Sequence, residues 1–314
     1  MNSPSPALPS PYHVLPAAQA TAAVVHRIIA AVETDLFGRV ETGEDHVDTV
    51  LARPGLDPGN DTVLVGDAAG EAVAWAWVNR RSEVYVHPRH RGRGLGTALN
   101  AWTQERAHAA GDRRTAQMVP DGDHAAVALM TAAGFTPHAT AWFLGTDIHD
   151  APAPVIPGID IRAYRSGDAE AAHDVIETAF AGWQGRRKPF SEWAAGTIER
   201  SSFAPDASVV VLDGDRLVGA LIALEVPEHG EGFVDCFAID GAWRRRGIGA
   251  AMLRESFAAF ARRGFGQCTL WTHSDTGALS LYERVGMTVR RSTTVFGKSL
   301  VDAGWKVPPR GDDA

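Results

Sequence analysis

Two stretches of this chain combine arginine and glycine in a way that suits an anionic ligand. Arg91-Gly92-Arg93-Gly94-Leu95-Gly96 recurs about 150 residues later as Arg244-Arg245-Arg246-Gly247-Ile248-Gly249. Each follows an apolar run that reads as a strand and opens a stretch with apolar residues at helical spacing. Such a turn exposes consecutive backbone N–H groups, and glycine removes the Cβ that would hold a phosphate away. The following helix adds the positive end of its dipole, and Arg91 or Arg244 adds mobile charge. Other glycine-rich nucleotide loops fail on spacing. A dinucleotide fingerprint needs glycine where Thr97 and Met252 stand, and Gly297-Lys298-Ser299 mimics the end of a P-loop whose first glycine is replaced by Ser292.

The repeat continues beyond these loops. Asp123-His124-Ala125-Ala126, through Leu129 to Gly134-Phe135, recurs as Asp275-Thr276-Gly277-Ala278, through Leu281 to Gly286-Met287. The offset there is one residue shorter, a change that a loop absorbs. Between the copies lies DAPAPVIPG at 150–158, a composition that favours a semi-rigid extended linker. The expected domains are therefore 1–150, a linker at 151–158 and 159–303, with 304–314 as a flexible tail.

Each copy shows the same order of elements. In the second, strands are expected at 159–164, 208–212, 216–224, 232–239, 267–272 and 287–296. Helices are expected at 168–180, at 191–201 with Ser191 as N-cap, from Ala250 through Leu253, Phe257 and Phe260 to a stop at Gly264, and at 276–285. In the first, strands are expected around 12–15 and at 62–65, 71–78, 82–86, 115–119 and 136–144. Its helices fall at 17–32, 94–110 and 124–133. Strands alternating with helices, several of them hairpin-linked, specify an α/β architecture on a mixed sheet, built twice.

Composition bounds the partners. The 314 residues are 45% apolar and 22% charged, the mix of a soluble globular chain. Thirty basic against 38 acidic side chains leave a formal charge of −8, which argues against nucleic-acid binding and suits a neutral or cationic small partner. No run of apolar residues is long enough for a membrane span. The opening MNSPSPALPS lacks a secretory pattern, and two cysteines form no disulfide framework, so a cytoplasmic protein is expected, as monomer or homodimer. No metal site is expected: twelve histidines contain no HExxH, and His87 and His90 lie three apart but just ahead of a loop. Cys236 and Cys268, on apolar strands, read as buried thiols.

The paired motifs resemble the GNAT superfamily of acetyl-CoA-dependent N-acetyltransferases. That family carries Arg/Gln-x-x-Gly-x-Gly/Ala at a helix start and Asn-x-x-Ala-x-x-Leu-Tyr-x-x-x-Gly-Phe on the next helix. The second copy reads Arg244-Arg-Arg-Gly247-Ile-Gly249, then Asp275-Thr-Gly-Ala278-Leu-Ser-Leu281-Tyr282-Glu-Arg-Val-Gly286-Met287. Asp275 for asparagine and Met287 for phenylalanine are its departures. The resemblance implies two tandem GNAT domains. It places the coenzyme A pyrophosphate on Arg244, Arg245, Gly247, Ile248, Gly249 and Ala250, with Asp275 nearby. The pantetheine arm would pair with the backbone of Phe237 and Ile239. In the first copy, Arg91, Gly94 and Gly96 form the corresponding loop.

Acetyl transfer needs a neutral amine, a polarised thioester and a proton for the departing thiolate. The resemblance assigns that proton to Tyr282. Asp235 stands where many relatives carry a glutamate and would deprotonate the incoming ammonium, directly or through water. Strand alternation puts Phe233, Asp235 and Phe237 on one face, so apolar neighbours are expected to raise the Asp235 pKa. Glu225, Glu228 and Glu231 either attract a cationic acceptor or form a solvated turn. At the matching places the first copy has Met130 and Ser82, with Glu83 adjacent, so it is expected to be catalytically reduced. Trp183, Phe190 and Trp193 around Arg186-Arg187-Lys188 either wall the acceptor site or belong to the core. A small primary amine is the expected acceptor. A protein N-terminus or lysine is the second enzymatic reading, and an acyl-CoA-binding sensor without turnover is the non-enzymatic one.

Overall fold

The computed structural model describes residues 5–182 and 186–301. The first half runs β1 (His13–Leu15), α1 (Ala22–Phe37), α2 (Glu44–Leu51), the single turn α3 (Pro58–Asp61), β2 (Thr62–Gly66), β3 (Ala72–Asn79), β4 (Arg81–Val86), α4 (Leu95–Ala109), β5 (Arg114–Pro120), α5 (His124–Ala132) and β6 (Thr136–Asp147). The second runs β7 (Asp160–Ala163), α6 (Ala169–Phe180), α7 (Phe190–Gly196), β8 (Val209–Asp213), β9 (Arg216–Val226), β10 (Glu231–Ile239), α8 (Ile248–Arg262), β11 (Gln267–His273), α9 (Leu279–Arg284) and β12 (Thr288–Ser299). Residues 151–158 carry no helix or strand. The expected tail at 304–314 and Trp183 lie outside the described residues.

The compact units are not contiguous in sequence. Among the described residues, one takes 5–139 and 293–301, and the other takes 140–182 and 186–292. The first unit orders its strands β1-β2-β3-β4-β5 and closes with 293–299 against Arg114–Pro120. The second orders β7-β8-β9-β10-β11 and closes with 141–147 against Gln267–His273. Pairing is antiparallel except between β4 and β5 and between β10 and β11, so each sheet is mixed. The segments 136–144 and 287–296 are strands as expected, but each completes a sheet made mostly by the other copy. Repeats that share one pattern offer equivalent slots, and exchanging the same element between them costs little. Alternation reveals a strand and leaves its partner open.

In the second unit, Met252, Leu253, Phe257 and Phe260 of α8 and Tyr282 of α9 pack on one face of the sheet. Ile176 of α6 and Trp193 of α7 pack on the other, over Val210, Ala220, Ile222 and Ala238. The first unit is layered alike, with α4 on one face and α1 and α2 on the other.

Three local expectations are corrected. The helix expected at 17–32 begins at Ala22, because the Thr21 hydroxyl accepts the Val24 N–H (3.4 Å) and caps it there. Ser191 is not a cap. Pro189 holds that place, its fixed φ near the helical value admitting Phe190 as the first residue. The helix expected at 276–285 starts only at Leu279, because Gly277 adopts φ +62° and ends a preceding 3-10 turn.

Candidate functional site

The site of the second unit is built on a fault in its sheet. β10 pairs with β11 only through Glu231–Val234 against 267–270, and beyond Val234 no further register joins them. At the same point β10 carries a bulge against β9: Val234 faces Ala223 and Cys236 faces Ile222, leaving Asp235 as the extra residue. The Asp240 N–H donates to the Val218 carbonyl (2.9 Å). Stepping back by two along an antiparallel pair, Ala238 and Cys236 are turned toward β9, so the backbone groups of Phe237 and Ile239 point into the opening. These are the two residues expected to pair with an extended ligand. One of their four polar groups, the Ile239 carbonyl, accepts from Arg244 Nε (3.0 Å). The first unit shows no such bulge, since β3 and β4 stay in register from Ala74 with Val86 to Asn79 with Arg81.

The bulge corrects the expected faces. Leu224 and Ile222 lie on one face of β9 and Ala223 and Leu221 on the other. Phe233 therefore shares a face with Cys236, and Val234 with Phe237. Asp235, expected on the face of Phe233 and Phe237, is instead the exposed extra residue of the bulge. The Cys236 thiol donates to its Oδ2 (3.3 Å). Burial, with the Asp235 carboxylate next, pushes that thiol well above its ordinary range, so it remains a donor.

The loop into α8 has the geometry an anion needs. Gly247 caps the helix at φ +80°, where an L side chain is strained. Arg245 takes φ +62° without being glycine, and its counterpart Gly92 has φ +72°. A non-glycine residue held there is the kind of strain that collects at ligand sites. Gly249 needs to be small: a Cβ would lie 3.1 Å from Leu281 Cδ2, 3.3 Å from Phe237 Cζ and 3.4 Å from Ile239 Cδ1. Its smallness lets α8 sit against β10. Ile248 is buried, and Ala250 follows in the first turn, where N–H groups lack helical partners. Asp275 lies in the turn after β11, accepting from Ser274 Oγ (3.3 Å) with His273 Nδ1 at 3.5 Å.

Tyr282 projects from α9 beside this opening. It is 6% exposed, its ring centroid lies 6.4 Å from that of Phe237, and it hydrogen-bonds with Thr272. Burial pushes its pKa up to about 12, against a smaller opposing effect of that bond. The phenol is therefore protonated at neutral pH and can donate.

The first unit keeps the loop shape and changes its electrostatics. Gly94 caps α4 at φ +86°, and Gly96 has Leu129 Cδ2 at 3.5 Å from an added Cβ. Arg91, however, is held by Asp35 (2.8 Å) and Asp123 (3.6 Å). Ser82 is buried against Thr115 (3.4 Å), Met130 is core, and Glu83 accepts from Trp77 Nε1 (3.2 Å) and Tyr85 (2.9 Å).

Other candidates resolve into structure. Glu231 is buried beside Arg290 (3.4 Å) and Glu225 pairs with Arg263, so neither is a solvated turn. Trp193 is core, its ring tilted at 54° to that of His173 with centroids 5.4 Å apart, and Phe190 is partly exposed. Arg186 pairs with Glu192 and Arg187 with Asp174. Among the described residues no cluster suits a metal ion, and no helix is long and apolar enough to cross a membrane. Sequence reasoning missed the bulge and the Thr272 partner of Tyr282. No residue type marks the bulge, and only the change from alternation to the run Val234–Phe237 hints at it.

Comparison with known proteins converges. Residues 29–135 and 172–287 each match the model of the Acetyltransferase (GNAT) family. A mycothiol acetyltransferase of Saccharopolyspora erythraea is 26% identical over 263 residues, 77% of this chain and 86% of that one. The mycothiol acetyltransferase of Amycolatopsis mediterranei is 27% identical over 301 residues, 87% of this chain and 94% of that one. The crystal structure of a GCN5-related N-acetyltransferase from Sphaerobacter thermophilus matches with a TM-score of 0.75 at 28% identity, over 93% of this chain and 97% of that one. A tandem GNAT protein from the clavulanic acid biosynthesis pathway shares the fold at TM-score 0.70 and 13% identity, over 93% and 99%.

Proposed function

The chain belongs to the acetyltransferase (GNAT) family, and we propose that its second half moves the acetyl group of acetyl-CoA onto the primary amine of a small molecule, by direct attack in a ternary complex. The observation that carries this reading is the parting of β10 from β11 after Val234, bordered by Tyr282 and by the Gly249 loop. Arg244, Arg245 and the α8 N-terminus from Gly247 to Ala250 would hold the pyrophosphate, with Asp275 at the margin. The open backbone of Phe237 and Ile239 would hold the pantetheine arm. The bound thioester supplies the activated acetyl group. Asp235 takes the proton from the acceptor ammonium, directly or through water, and the Tyr282 hydroxyl gives its proton to the departing thiolate.

The first half, 1–150 in chain order, is the reduced copy. It has Ser82 and Met130 in place of the acid and the phenol, and its loop of Arg91, Gly94 and Gly96 takes coenzyme more weakly. The names of the two relatives favour the amine precursor of mycothiol as an acceptor, while Phe233, where that enzyme type carries a glutamate, speaks against it. A protein N-terminus is the next class, and an acyl-CoA sensor without turnover is the non-enzymatic alternative. The test mixes the protein with acetyl-CoA and a panel of amino sugars, cysteinyl conjugates, polyamines and N-terminal peptides, and follows free coenzyme release. Release with one class of amine supports the reading. Coenzyme binding with no release on any amine overturns it in favour of the sensor.

A further inference from the structure

The first helix of each copy grips one residue of the loop that follows it, by both ends of that residue's backbone. In the second unit, Glu177 Oε2 accepts the Lys188 N–H (2.7 Å), while His173 Nε2 donates to the Lys188 carbonyl (2.9 Å). In the first, Glu33 Oε2 accepts the N–H of Thr42 (2.9 Å) and of Glu41 (2.7 Å), and His26 Nε2 donates to the Thr42 carbonyl (2.8 Å). His173 and Glu177 are one helical turn apart and His26 and Glu33 two turns, so each pair shares a helix face. The grip recurs although the spacing does not.

The copies differ in what the grip costs. Glu33 uses its second oxygen on the Thr42 hydroxyl (2.5 Å). Glu177, only 1% exposed, leaves Oε1 buried without a hydrogen-bond partner among the described residues. An unpaired buried carboxylate oxygen destabilises a fold, so its presence asks for a gain elsewhere. The gripped residue indicates where. The faces of α6 and α7 share one buried cluster with Cys236, whose thiol bonds Asp235, the extra residue of the β10 bulge. Lys188 is thus tied to the helix that packs over β10, and the neutral Thr42 takes its place in the first unit.

We propose that His173 and Glu177 are positioning residues for the amine acceptor: through the Lys188 backbone they fix residues 186–189, at the entry to α7, to the α6 face that packs over Cys236, so that an amine approaching Asp235 meets a wall already in place. This rests on the reading that the second half acetylates an amine.

The test uses the full chain with Glu177→Ala, Glu177→Gln, His173→Ala and, as the internal control, Glu33→Ala. Amide-resolved hydrogen exchange at Lys188 is combined with steady-state kinetics on D-glucosamine and L-cysteine ethyl ester as probe amines. We expect the Lys188 amide to be protected in the unaltered chain and in Glu177→Gln, which keeps an acceptor oxygen, and to lose protection in Glu177→Ala. We expect Glu177→Ala to raise the amine KM about tenfold or more, the scale of a lost hydrogen bond to a charged group, while the acetyl-CoA KM stays within about twofold. Glu177→Gln should stay within about threefold and Glu33→Ala should change neither constant. If Glu177→Ala does not fold, His173→Ala carries the same expectation with the carboxylate intact. An unchanged amine KM, or equal rises in both KM values, overturns the proposal. An effect of Glu33→Ala without one of Glu177→Ala instead overturns the assignment of catalysis to the second half. If neither probe is turned over, the kinetics use the amine of the panel that is, and no release on any amine of the panel overturns the functional reading and this proposal with it.

Discussion

Arg91 and Arg244 occupy equivalent places in two loops of the same shape, and the structure gives them different partners. Arg244 uses Nε on the Ile239 carbonyl, and among the described residues no carboxylate pairs with its guanidinium. Arg91 pairs with Asp35 at 2.8 Å and, more loosely, with the less exposed Asp123 at 3.6 Å. Partly exposed ion pairs contribute roughly 0.2–1 kcal/mol each. Releasing Arg91 from both, with two carboxylates then facing a pyrophosphate, costs about 1–2 kcal/mol, or roughly 5- to 30-fold in affinity. Isothermal titration with coenzyme A at fixed moderate salt should show one tight site per chain, followed at most by a weaker one. Arg244→Ala should remove the tight site and Arg91→Ala should leave it. Asp35→Asn with Asp123→Asn should strengthen the weak site, because asparagine preserves the cap that Asp123 gives to Ala126 (3.0 Å). Two sites of equal affinity in the unaltered chain, or loss of the tight site in Arg91→Ala, would show that Asp35 and Asp123 do not weaken the first loop.

Further outcomes follow from packing and protonation. Gly249→Ala places a Cβ within 3.1–3.4 Å of three side chains, so overpacking of about 1–3 kcal/mol should lower Tm by several degrees and weaken coenzyme binding. Gly96→Ala meets only Leu129 at 3.5 Å and should shift Tm less in the same melting experiment. Both thiols are pushed up chiefly by burial, so neither should react with a disulfide reagent in the native state at pH 8, and both should react after unfolding. Because burial raises the Tyr282 pKa to about 12, its proton is retained well above neutrality. The profile of kcat should therefore show no fall centred near pH 10, where an ordinary tyrosine would ionise.

Much of this architecture is legible in the residues. The loops at Gly94 and Gly247 declare themselves because only glycine tolerates their φ of +86° and +80°, and the helices after them follow from apolar spacing. Tyr282 is legible only through its motif, since nothing local distinguishes a buried catalytic phenol from a packed one. Two features escape a linear reading. The exchange of 141–147 and 293–299 is a choice between equivalent partners, and alternation is silent on partners. The bulge at Asp235 reverses the faces on which the expected environment of that carboxylate depended. The grip on Lys188 escapes for a third reason: it joins side chains of α6 to a backbone that has no letter in the sequence.

In the proposed reaction the second half does the chemistry through Tyr282 and Asp235. The most direct measurement is free coenzyme release, at saturating acetyl-CoA, by Tyr282→Phe and Asp235→Asn, with Met130→Leu as the first-half control. Each of the first two is expected to lower kcat about 100-fold or more, the usual contribution of a positioned acid or base, with coenzyme affinity and the control unchanged. Turnover that survives both substitutions would contradict that assignment.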